Sequence, residues 1–206
     1  MHPALPLILA SASPRRRELL AATGLAFEII PATIDESPLP GESAETYVQR
    51  LAVTKAQGVS QRHPGAVVLG ADTTVTIDGL LLGKPQSLEE GRWMLHRLTG
   101  REHAVVTGIA VMTAGIEADG THRCVVEVIA SRVQMRPFAA PTVDWYLATR
   151  EPLDKAGAYA IQGLGAALVE RVEGSYTNVV GLPLTETLAL LQGFGITTER
   201  PGHWRA

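Results

Sequence analysis

The segment Ser11-Ala-Ser13-Pro-Arg15-Arg16 places two hydroxyls and two guanidinium groups where an apolar strand gives way to a helix. Backbone N–H groups at a helix start lack intrahelical partners and sit at the positive end of the helix dipole. Serine hydroxyls add donors, and arginine forks match phosphate oxygens. The segment therefore suits an anion such as phosphate. Its plainer reading is a Ser-Pro cap followed by solvated arginines. Asp72 follows the apolar run Ala66 to Ala71 (AVVLGA), and ligand crevices in α/β sheets open at strand ends. Its carboxylate can hold Mg²⁺ or take a proton from water. It can equally be a turn aspartate bonded to its own backbone. Glu36, in a polar loop, reads alone as a surface acid; beside Asp72 it would complete the two-carboxylate site that Mg²⁺ prefers.

Two lysines and one amide join these groups. Lys55 shares the apolar face of a helix with Tyr47 and Leu51, so its ammonium either snorkels to water or reaches into a site. Lys84 stands between Gly83 and Pro85, a context that restricts its direction and suits either a phosphate contact or a solvated turn. Gln162, between Ile161 and Gly163, can show a base edge both a donor and an acceptor, or bond to nearby backbone. The six histidines have no metal-ligand spacing, and Cys124 has no nearby histidine partner. Neither GxxxxGK[ST] nor GxGxxG occurs.

Elements must bring these residues together. Leu5 to Ala10 reads as a buried strand, and Ser13-Pro14 opens a helix that Gly24 ends. Phe27 to Pro31 is a short strand, and Ser43 caps a helix carrying Tyr47, Leu51, Ala52 and Ala56 on one face. Ala66 to Ala71 reads as a strand covered on both faces, with Asp78-Gly79 as a hairpin turn beyond it. Ser87 to Glu90 has the capping-box pattern, and Gly100 closes the helix that follows. His103 to Met135 alternates as β-structure, with turns at Gly115 and at Asp119-Gly120. Thr142 to Thr149 is expected to be helical, Ala166 to Val172 a strand, and Pro183 to Gln192 a final helix ended by Gly193. The polar tail, 197–206, is expected to be loose. Early strands joined by helices and middle strands joined by turns predict an α/β (α+β mixed) fold with a mixed sheet. The whole chain, 1–206, is read as a single domain, with two lobes about a cleft whose boundary the sequence does not assign.

Composition excludes other classes. The chain has 206 residues, 18 Lys plus Arg against 21 Asp plus Glu, and 46% hydrophobic residues. That is ample for a core and too apolar for intrinsic disorder. A net charge of -3 leaves no positive excess for a duplex, so no nucleic-acid partner is expected and any basic site is local. No stretch reaches the roughly 18 apolar residues of a membrane helix. Leu5 to Ala12 is not read as a secretory signal, because Arg15, Arg16 and Arg17 follow it rather than precede it. Cys124 is the single cysteine, which excludes an internal disulfide and fits a reducing compartment.

Six stretches, LILASASPRRRELL, ESAETYVQRLAVTKA, LGADTTV, LGKP, EPLDKAGAYAIQG and GSYTNVVGLPL, run in this order from Leu7 to Leu184. Together they resemble the Maf family, also called septum formation inhibitor proteins. The resemblance implies an elongated mixed sheet flanked by helices, like that of inosine triphosphate pyrophosphatases, with two lobes around a central cleft. It implies a cytoplasmic, homodimeric, house-cleaning nucleoside triphosphate pyrophosphatase that uses a divalent cation, Mg²⁺ or else Mn²⁺ or Co²⁺. Asp72 matches the family's proton acceptor, Arg15 and Arg16 its phosphate-contacting arginines, and Glu36, Lys55 and Lys84 the other charged cleft residues. Glu36 and Asp72 would hold the metal, with Ser11 and Ser13 beside the phosphates. Arg15, Thr73 and Gln162 resemble the branch acting on dTTP and UTP. The alternatives are the same reaction on another base, such as that of 7-methyl-GTP, or a nucleotide-binding regulator of cell division without turnover.

Overall fold

The computed structural model describes residues 5–113 and 123–198. The expected turns at Gly115 and at Asp119-Gly120 lie outside those residues, as does the tail from residue 199. Among these residues seven strands make one sheet: β1 (Leu7–Leu9), β2 (Glu28–Ile29), β3 (Val67–Ile77), β4 (Leu80–Leu82), β5 (Glu102–Thr113), β6 (Cys124–Met135) and β7 (Val169–Glu173). Their order is β2-β1-β3-β5-β6-β7, with β4 paired to β3. The first three are parallel and the rest antiparallel, the mixed sheet expected from the change in connections. Among the described residues six α-helices flank it: α1 (Pro14–Ala21), α2 (Ala44–Ser60), α3 (Leu88–Leu98), α4 (Ala140–Ala148), α5 (Tyr176–Val180) and α6 (Leu184–Gly193).

The helix starts follow their caps. Ser13, Ser43 and Ser87 each accept an N–H three residues on, from Arg16, Thr46 and Glu90. In the third case the acidic side chain does not return to the cap residue. Glu90 Oε2 instead accepts the N–H of Gln86 at 2.6 Å, one residue earlier than the capping box expects. The Asp78-Gly79 turn has both residues at positive φ, 53° and 76°, as a type I′ hairpin requires.

β3 is the spine of the fold, and alternation along it sorts the core. Val67, Leu69 and Ala71 pack with Leu20, Leu190 and Leu191 from α1 and α6. On the opposite face Val68 packs with Ala52, Ala56 and Val59 of α2. At the far end Val75 and Ile77 join Met94, Leu95 and Leu98 of α3 and Val143, Tyr146 and Leu147 of α4. Along one edge of β3, β1 pairs with Val67 to Leu69 and β4 with Val75 to Ile77. Between them, neither strand pairs with residues 70–74. The cleft opens at this gap, between the two ends of the core.

Three expectations are corrected. Asp72 stands neither at a strand end nor in a turn, because β3 continues through it to Ile77, paired with β5. Ala166 to Leu168 is not strand: it belongs to a 3-10 segment, Gly163–Leu168, and β7 begins at Val169. Glu151 accepts the N–H groups of Leu164 and Gly165, which holds this stretch coiled rather than extended. The final helix also runs through Gly193; Gly195, at φ 78°, makes the left-handed turn after it.

Candidate active site

The cleft encloses about 770 Å³ and is lined by all the candidate residues: Ser11, Ser13, Arg15, Arg16, Glu36, Lys55, Asp72, Thr73, Lys84 and Gln162. Asp72 and Thr73 lie in the stretch of β3 that pairs with β5 but with neither β1 nor β4 on its other edge, and alternation turns them to opposite faces. Asp72 faces α2. There Lys55 Nζ donates to Asp72 Oδ1 at 2.6 Å and pairs with Glu36 Oε1 at 2.7 Å. Lys55 and Asp72 are each 7% exposed, so the lysine reaches inward and does not snorkel.

Glycine makes that contact possible. A Cβ on Gly70 would lie 2.3 Å from Ala52 O, and one on Gly108 would lie 2.4 Å from Val48 O. With no side chains there, α2 rests directly on β3 and β5. Glu36 arrives from the loop before α2. Tyr47 donates its hydroxyl to Glu36 O at 2.9 Å, and Arg50 donates to Ser37 O at 3.1 Å. Burial acts to raise the Glu36 carboxyl. The Lys55 hydrogen bond, with the charges of Lys55, Lys84 and Arg16, outweighs it and holds the group below the usual carboxylate range.

Thr73 faces the other way. Arg16 is buried, and its three donor positions are fixed: Nε to Gly181 O at 2.8 Å, Nη1 to Ser11 Oγ at 3.1 Å and Nη2 to Thr73 Oγ1 at 3.0 Å. Burial lowers this guanidinium from its ordinary value and Asp72 pulls it back up; it stays a cation. Thr73 Oγ1 also shares a hydrogen bond with Thr107 Oγ1 at 2.9 Å. Arg16 is therefore a fixed cation set into the framework. Its two remaining N–H bonds are what it has left for a ligand.

The start of α1 offers fewer free donors than its sequence suggests. Pro14 has no N–H, the Arg16 N–H goes to Ser13 Oγ and the Ser13 N–H to Ser11 Oγ. Arg15 crosses the cleft to the 3-10 segment Glu151–Asp154, with Nη1 3.1 Å from Asp154 Oδ2. Lys84 is exposed and, among the described residues, within salt-bridge distance of no carboxylate. Gln162 is exposed on the cleft wall, with no hydrogen bond to its amide among the described residues.

Sequence reasoning missed Asp154, the acidic partner of Arg15, although it stands in the LDK triplet of a motif already singled out. It also missed the Gly181 carbonyl, which Arg16 and Thr73 share. Backbone acceptors carry no side-chain signal.

The matching family model is described as Maf-like protein and covers residues 6–194. The chain belongs to this family. Proteins named dTTP/UTP pyrophosphatase resemble this Maf-like protein along nearly all their length. That of Myxococcus xanthus (strain DK1622) is 54% identical over 200 residues, 97% of this chain and 96% of its own. That of Anaeromyxobacter dehalogenans (strain 2CP-1 / ATCC BAA-258) is 51% identical over 201 residues, 95% and 98%. Among solved structures, the Ham1 protein of Staphylococcus aureus aligns with 92% of the Maf-like chain and 97% of its own, at 14% identity and a TM-score of 0.48.

Proposed function

We propose that this Maf-like protein hydrolyses dTTP and UTP to the nucleoside monophosphate and pyrophosphate. The observation that carries the reading is the buried Lys55–Asp72 pair at the open edge of β3, with the half-exposed Glu36 on the same ammonium and Arg15, Arg16 and Lys84 on the same cleft. A triphosphate is a polyanion and needs such a field, and a local one suffices despite the net charge of -3. Some arginines elsewhere are in surface pairs, such as Arg101–Asp78 and Arg132–Glu173.

In this mechanism Lys84, Arg15 and the fixed Arg16 hold the phosphates. Water attacks the α-phosphorus, the bond to the bridging oxygen of the β-phosphate breaks, and pyrophosphate leaves with the electron pair. Asp72 Oδ1 is held by Lys55, and Oδ2 takes no protein hydrogen bond among the described residues. Oδ2 is the atom that orients the water and accepts its proton. Positioning and charge stabilisation supply most of the rate.

Among the described residues no group of three or more His, Cys, Asp or Glu forms a metal cage. The residues present still fit Mg²⁺, which binds through one or two carboxylates plus substrate phosphates: Glu36 and Asp72 already converge on one cation, the Lys55 ammonium. Those two carboxylates would hold Mg²⁺, Mn²⁺ or Co²⁺, which when bound supplies charge for the phosphates and a more acidic water.

Gln162 would read the imide edge of uracil or thymine, its donor and acceptor both available. A wrong base leaves that amide unpaired, at a cost of about 1–3 kcal/mol. The family resemblance alone extends the proposal to a homodimer in the cytoplasm. No helix among the described residues is long and apolar enough to cross a membrane. The test is pyrophosphate release from a panel of nucleoside triphosphates with Mg²⁺. dTTP and UTP should be the fastest substrates. Preference for 7-methyl-GTP, or no release from any nucleotide, would overturn the reading.

A further inference from the structure

Gln162 has no side-chain hydrogen bond among the described residues to aim it, so its direction depends on its backbone. That backbone is held on both sides by two side chains. Glu151 Oε2 accepts the N–H of Leu164 at 3.0 Å, and Oε1 accepts the N–H of Gly165 at 2.9 Å. Tyr146 donates its hydroxyl to Glu151 Oε1 at 2.8 Å, and the Tyr146 hydroxyl oxygen accepts the Ala160 N–H at 3.0 Å. The chain is thus pinned at 160 and again at 164–165, with Gln162 between.

The fit is close. A Cβ on Gly163 would lie 2.5 Å from Glu151 Oε2, and one on Gly165 would lie 2.3 Å from the Tyr146 hydroxyl oxygen. Burial acts to raise the Glu151 carboxyl. The two N–H bonds, with Tyr146 and Lys155, hold it below the usual range, so both oxygens stay acceptors at neutral pH. Tyr146 is fully buried in the core cluster beside α3 and α4. The Gln162 segment is therefore anchored to the core, through Glu151, and not only to the rim of the cleft.

We infer that Glu151, together with Tyr146, is a positioning residue for base selection, setting the aim of Gln162 without touching the nucleotide. This rests on the reading of the cleft as a pyrimidine triphosphate site. Loss of aim should cost discrimination, not phosphate binding, because Arg16 is held by its own bonds to Gly181, Ser11 and Thr73 and Lys84 lies outside the pinned segment.

The test is Glu151→Gln, nearly the same shape but with an NH₂ in place of one acceptor. The UTP-to-GTP ratio of kcat/KM should fall by about tenfold, with KM for UTP raised. Inhibition by pyrophosphate, which occupies only the phosphate half, should be unchanged. Tyr146→Phe should move the ratio the same way by less, and it carries the test if Glu151→Gln fails to fold. An unchanged ratio in a folded variant would overturn the inference. So would weakened pyrophosphate inhibition in proportion to the loss of UTP turnover, which marks a general structural role. A wild type that releases no pyrophosphate from UTP overturns the functional reading instead, and that control is read first.

Discussion

Lys55 has its stem inside the core and its ammonium between two carboxylates. A lysine on an apolar helix face either turns back to water or finds an anion, and periodicity does not distinguish the two. What decides is the facing strand, which presents Asp72 on the α2 side once Gly70 lets the helix approach. Removing one partner of such a pair leaves a buried charge uncompensated, at about 3–5 kcal/mol. Lys55→Met should lose turnover and should lower unfolding stability in urea by roughly 3 kcal/mol, because Glu36 is half-exposed and can relax. Adding Asp72→Asn should restore part of that stability. An additive double variant would show that Lys55 and Asp72 do not interact.

At the scale of elements, the caps and the turn at Asp78-Gly79 were legible because one residue type satisfies each local need. The strand-then-helix rhythm, and the change to antiparallel pairing after β3, were legible for the same reason. The stretch Ala166 to Leu168 was not. Its small apolar residues suit a strand, and the groups that coil it are the Glu151 oxygens, distant in sequence. The tight seat of α2 was hidden too, since glycine in a strand signals only that something comes close. Paired substitutions test that seat. Gly70→Ala places a methyl against helix backbone. It should destabilise by about 1–3 kcal/mol or more and depress activity by shifting Lys55 from Asp72. Gly58→Ala, in the same helix with nothing within 4 Å, should stabilise by up to about 1 kcal/mol and leave activity intact. Equal effects of the two, read by thermal unfolding and turnover, would contradict direct helix-on-sheet contact.

At the scale of the molecule, the core has two ends and the cleft between them draws charged residues from both. Arg15 and Lys55 come from the α1–α2 end, Lys84 and Asp154 from the α3–α4 end. The α3–α4 end carries a pH-sensitive element. His103 is buried beside Tyr159, with Nε2 2.7 Å from the Tyr159 hydroxyl, and burial lowers its pKa from 6.5 to about 4. The folded state thus holds the proton less well than the unfolded chain. Its stabilising effect is complete above about pH 6.5 and is lost as pH falls toward 4, by about 3 kcal/mol in all. His103→Gln should flatten the stability profile between those values in urea titrations. A profile as steep as the wild type's would mean that other groups set it.

In the proposed reaction Asp72, fixed by Lys55 at the open edge of β3, activates water against the α-phosphorus of dTTP or UTP. The most direct measurement is pyrophosphate release from dTTP and UTP with Mg²⁺, wild type against Asp72→Asn, with the fold of both checked by thermal unfolding. The wild type should release pyrophosphate, and the folded variant should be slower by at least about 100-fold. Release from Asp72→Asn at the wild-type rate would contradict this role of Asp72.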